Sequence, residues 1–145
     1  MNKNYFQAVF QIIKTGHWIT DEVNRVLKEY DITEPQFNVL RILRGAKGTP
    51  LSVTAIQKEM VQRSSNITRI VDKLLKKNFV TRKECPENRR KMDILITDEG
   101  LEKLKILDKK VNAFHEPFFN KLNNEELDVL KNLIIKLKTQ WVKKF

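Results

Sequence analysis

A chain of 145 residues is long enough to bury about two-thirds of its unfolded surface, so it can fold as one domain without a metal or a disulfide. Its 28 Lys and Arg against 18 Asp and Glu leave a formal net charge of +10, which favours a polyanionic partner. A single cysteine (Cys85) and two histidines (His17 and His115) exclude an internal disulfide and a zinc site built from several Cys and His ligands, and four scattered glycines cannot form a glycine-rich phosphate cradle.

No metal or cofactor is expected. No carboxylate, histidine and nucleophile stand at a spacing that defines a catalytic site, so the chain does not read as an enzyme. Apolar runs reach only three residues, as at Ile94–Ile96, too short to span a membrane. No basic stretch followed by an apolar region opens the sequence, and a cytoplasmic location is expected.

In chain order, residues 5–30 read as helical: Phe6, Phe10 and Ile13, then Ile19, Val23, Val26 and Tyr30, recur at steps of three and four. Gly16 is the point at which this stretch would bend or split. Thr33 and Gln36 have capping-box spacing, with Ile32 and Phe37 placed as a hydrophobic staple and Pro35 tolerated in the first turn. That helix carries Phe37, Leu40 and Leu43 and should stop at Gly45. Leu51 can form a very short strand, and Ser52 can cap a short helix, Val53–Met60. After the tight connection Val61–Arg63, a second helix is expected from about Ser64 to Lys77. Its stripe of Ile67, Ile70, Val71, Leu74 and Leu75 faces inward, and Asn78 is suited to the left-handed residue that ends it.

The period then changes from 3.6 to 2. Phe79–Glu84 is strand-like, Pro86-Glu87-Asn88 is turn chemistry, and Met92, Ile94 and Ile96 alternate on one face, giving a hairpin with a basic tip. Thr97 caps a further helix with Leu101, Leu104, Leu107 and Val111. Pro117 interrupts the chain, and Asn123 with Glu126 opens a final amphipathic helix.

Two helices joined by a tight turn, with a hairpin after the second, follow the order of a winged helix-turn-helix, whose second helix enters the major groove. Residues 58–91 hold eleven Lys or Arg against four Asp or Glu, so seven of the ten net positive charges lie in 34 residues. Arg63 in the connection, Ser64, Ser65, Asn66, Thr68, Arg69 and Lys73 on the second helix, and Arg89, Arg90 and Lys91 on the hairpin are the candidate DNA-binding residues. Short hydroxyls allow close approach to phosphates, and the fork of Arg69 suits O6 and N7 of guanine.

Three runs resemble the MarR family of transcriptional regulators. Ile32-Thr33-Glu34-Pro35-Gln36-Phe37-Asn38-Val39-Leu40 is similar to its L-T-x-x-Q-x-x-v-L signature. Residues 67–82 resemble its v-T-R-l-v-D-r-L run, and Asn88-Arg89-Arg90 through Gly100 its D-x-R … v-x-L-T-x-x-G run. The resemblance implies a mainly α fold with a small β wing: one domain over 1–145, with a winged helix-turn-helix lobe at 32–100 and dimerisation helices at 5–30 and 102–143. It further implies a homodimer that binds a pseudo-palindromic operator and represses transcription, released in many members by a small aromatic or anionic effector. Thr68 and Arg69 would then be groove contacts and Arg90 a minor-groove contact. His17 and Trp18 would border the effector crevice. The wing residue that is commonly Asp is Asn88 here, which leads one to expect a looser wing. Cys85 lies on the wing strand rather than near the terminal helices, which argues against a redox sensor. The alternative is a winged-helix module that binds a protein, or a non-specific chromosomal DNA binder.

Overall fold

The first stretch folds as one unbroken helix in a computed structural model that describes residues 2–63 and 66–139. α1 (Lys3–Lys28) begins where the Asn2 side chain accepts the Tyr5 N–H at 3.1 Å, and it runs through Gly16 without a break. An interior glycine costs about 1 kcal/mol against alanine, which a helix of 26 residues absorbs. Asp31, at φ 55°, turns the chain out of α1.

The capping box then opens α2 (Glu34–Gly45). Thr33 Oγ1 accepts the Gln36 N–H at 3.3 Å, and Gln36 Oε1 accepts the Thr33 N–H at 3.2 Å. Ile32 and Phe37 are both buried, as the staple requires. Gly45 itself remains helical. It is the last helical residue, where the sequence placed the stop, and the left-handed residues Lys47 (φ 50°) and Gly48 (φ 86°) shape the turn that follows.

Leu51 forms an isolated antiparallel bridge with Ile94, its N–H donating at 3.1 Å and its carbonyl accepting at 2.9 Å. Ser52 Oγ caps α3 (Val53–Glu59) by accepting the Ala55 N–H at 3.1 Å. α4 (Ile67–Lys76) starts later than the sequence pattern suggested. Asn66, in extended backbone, accepts the Arg69 N–H at 3.1 Å, and this cap sets the helix start at Ile67 rather than near Ser64. Ser64 and Ser65 lie outside the described residues. α4 buries Ile67, Val71 and Leu74 and ends at Asn78, whose φ of 60° is the expected left-handed terminus.

β1 (Val80–Cys85) and β2 (Asn88–Ile96) form the two-stranded antiparallel sheet, joined by Pro86 and Glu87. The register runs regularly from Val80 opposite Ile96 to Glu84 opposite Met92, then jumps to Cys85 opposite Asn88. Arg89, Arg90 and Lys91 therefore have no partner residue on β1. Thr97 Oγ1 accepts the Gly100 N–H at 3.0 Å and starts α5 (Asp98–His115). Leu101, placed inward by its spacing, is partly exposed; Gly100 takes the buried place. A Cβ on Gly100 would lie 2.2 Å from the Phe79 carbonyl oxygen, so only glycine lets α5 approach the start of the hairpin this closely.

The chain divides into two compact units, 1–111 and 112–145. The first holds a core of Leu27, Leu40, Ile56, Ile67, Leu74, Ile94, Leu104 and Leu107, all fully buried. Arg44 on α2 pairs with Asp108 on α5, and Lys103 Nζ lies 5.2 Å from the Tyr30 ring centre. In the second unit, Pro117 sits in a short 3-10 turn, and Asn123 and Glu126 form a capping box at 2.9 Å in both directions to open α6 (Asn124–Lys138). α6 buries none of its residues, and α1 buries only Val23 and Leu27. Among the described residues no helix is long and apolar enough to cross a membrane.

Candidate nucleic-acid interface

The connection between α3 and α4 is held by side chains at both ends. Asn38 Oδ1, from α2, accepts the Val61 N–H at 2.9 Å, and Gln57 Nε2 donates to the Arg63 carbonyl at 2.5 Å. The described part of the turn, through Arg63, is thereby tied to the two helices before it. One face of α4 is spent on the core. The opposite face exposes Thr68, Arg69 and Lys73, and neither cation makes an ion pair among the described residues.

Asp72 is the only carboxylate on α4, and it is occupied. Arg82 on β1 donates to Asp72 Oδ1 at 2.6 Å, which ties the wing strand to the helix and cancels the one negative charge beside Arg69 and Lys73. The exposed face is left with hydroxyl and cationic groups alone, the set that meets phosphates and base edges. Asn66 is exposed, with its side-chain oxygen committed to the cap and its NH2 group without a hydrogen-bond partner among the described residues. Arg63 is exposed in the turn.

At the wing, Arg89, Arg90 and Lys91 are exposed on the register jump of β2. Asn88 Oδ1 accepts the Arg90 N–H at 3.1 Å. The amide in place of the expected Asp removes a charge but keeps an acceptor for this hydrogen bond at the tip. Cys85 is half-buried at the end of β1, opposite Asn88. His17 and Trp18 stand exposed on the part of α1 that buries nothing.

Sequence reasoning missed Asn38, Gln57 and the Asp72–Arg82 pair as organisers of this surface. None follows a local spacing rule: Asn38 lies 23 residues from its partner and Arg82 ten from its own.

A polar, cationic helix after a side-chain-locked turn, braced by a two-stranded wing, defines a winged helix-turn-helix DNA-binding protein. The sequence model of the MarR family matches residues 32–92. The HTH-type transcriptional regulator YpoP of Bacillus subtilis is 30% identical over 119 residues, 82% of each chain. The transcriptional repressor MprA of Escherichia coli is 28% identical over 115 residues, 79% of this chain and 65% of its own. Among solved structures, CouR of Rhodococcus jostii, bound to p-coumaroyl-CoA, superposes with a TM-score of 0.78 at 19% identity, over 96% of both chains. The chain belongs to the MarR family. It is a DNA-binding transcriptional regulator, not an enzyme.

Proposed function

We propose that this regulator reads a pseudo-palindromic operator as a homodimer and represses transcription by occupying it. The observation that carries the reading is the outer face of α4, where Thr68, Arg69 and Lys73 are exposed and unpaired among the described residues while Arg82 neutralises the helix's one acid. In this reading Arg63, Ser64, Ser65, Asn66, Thr68, Arg69 and Lys73 meet the major groove and its flanking phosphates. Arg89, Arg90 and Lys91 carry the wing to the backbone and minor groove of the same half-site. Residues 1–145 act as one functional domain in which 32–100 bind DNA and the helices at 5–30 and 102–143 dimerise. The apolar residues left exposed on α1 and α6, such as Phe10 (59% exposed) and Leu133 (57%), support that division of labour.

Repression is supported by the name of MprA, and release by a small aromatic or anionic compound by the ligand in CouR. His17 and Trp18 are the residues assigned to that compound. The test is to select fragments retained by the purified protein from a random duplex pool. Enrichment of an inverted repeat bound far more tightly than random duplex supports the reading; recovery of unrelated sequences at equal affinity overturns it.

A further inference from the structure

The bridge between Leu51 and Ile94 makes the start of α3 and the base of the wing one mechanical piece. Next to it lies a cleft of about 460 Å³, lined by Ser52, Thr54, Lys58 and Glu59 on the α3 side and by Lys91 on the wing. Lys58 and Lys91 come from different elements, 33 positions apart, yet open onto the same space. Neither makes an ion pair among the described residues, although Glu59 lines the same cleft. Ser52 Oγ is used by its cap, which leaves the Thr54 hydroxyl as the polar group available beside the lysines. Two cationic side chains that line one cleft repel each other, and an anion between them removes that cost.

The cleft takes in Lys91 of the wing and lies on α3, the first helix of the helix-turn-helix, which crosses the DNA backbone in this motif. We propose that Lys58 and Lys91 clamp one backbone phosphodiester between them, with Thr54 as an accessory donor. The clamp positions the duplex without reading it and rests on the DNA-binding role proposed above. A shared phosphate has a distinctive energetic signature. Losing either lysine releases the contact, so losing both removes little more.

The experiment measures Lys58→Gln, Lys91→Gln and the double variant against the selected operator and a random duplex at several salt concentrations. Thermal melting checks that each variant is folded. Each single variant should lose about tenfold in affinity on both duplexes, keep the specificity ratio, and lower the salt slope by about 0.9 per protomer. The double variant should match the weaker single one. Additive losses, or a Lys58→Gln variant that binds like the wild type, overturn the clamp while leaving the DNA-binding reading intact. A cleft that serves a small anion instead would show as stabilisation of the wild type by inorganic phosphate, absent in Lys58→Gln, with unchanged DNA binding, and that also overturns it. A wild type that prefers no duplex sequence fails the proposed function itself, which the wild-type arm reads separately.

Discussion

Lys77 Nζ stands 2.7 Å from Asp31 Oδ2 and also donates to the Asp31 carbonyl, joining the C-terminal cap of α4 to the turn that follows α1. Both junctions are left-handed, Asp31 at φ 55° and Asn78 at φ 60°. The end of α4 is therefore tied to the end of α1 by one side chain.

This pair has a pH signature. The hydrogen bond and charge of Lys77 hold the Asp31 carboxyl below its usual 3.8. A depressed carboxylate contributes stability above the unfolded-state value and loses it as pH falls through the folded-state value. Burial pushes Glu34 the other way, so its contribution improves with acid. In melting curves from pH 6 to pH 2, Asp31→Asn, which tolerates the left-handed backbone, should lose less stability with acid than the wild type. Glu34→Gln should lose more. Parallel curves for all three proteins would contradict the assignment.

Gly100→Ala should be among the most destabilising single-atom changes in the first unit. The added methyl meets the Phe79 carbonyl oxygen and Ile96 Cγ1, at 2.2 and 2.8 Å, and one of these is backbone. A cost of about 3 kcal/mol is expected from urea unfolding, at the upper end for overpacking. A change under about 0.5 kcal/mol would mean that α5 does not pack this closely.

Arg69 and Arg90 should fail differently. Arg69→Ala should cost about 1–3 kcal/mol per half-site on the operator and relax the preference at one base position. Arg90→Ala should weaken specific and random duplexes alike and lower the salt slope by about 0.9 per protomer. Titrations of both variants on both duplexes across a salt series decide it. An unchanged specificity ratio in Arg69→Ala would remove α4 from base reading.

Assembly is tested on α6. Sedimentation at micromolar concentration should give a mass twice the protomer's 17.2 kDa. Leu130→Asp, which places a charge among the exposed Leu127, Leu133 and Leu137, should shift the protein to the monomer. A wild type that sediments as a monomer overturns the homodimer.

Much of the fold is legible in the sequence because its punctuation is local. Thr33 with Gln36, Asn123 with Glu126, and the helix-ending Asn78 each act within three or four residues, and each sits where its spacing placed it. The start of α4 is less legible because Ser64, Ser65 and Asn66 can all cap. Gly100 reads as an unremarkable helix residue until the Phe79 carbonyl is seen above it. The cationic face of α4 is visible as composition. Its clearing of negative charge by Arg82, the lock on the turn by Asn38, and the Lys77–Asp31 tie depend on side chains meeting across the fold, which no periodicity encodes.

The register jump in β2 sets Arg89, Arg90 and Lys91 side by side, outside the ladder and exposed. These are three consecutive bonds for a protease that cuts after basic residues, in the kind of protruding segment where nicking concentrates. Trypsin should open the protein first at this tip, while α4, with Lys73 and Lys76 locked in helix, resists. Bound duplex would cover the same bonds, so the rate of that first cut serves as a footprint of DNA occupancy that needs no label on either partner.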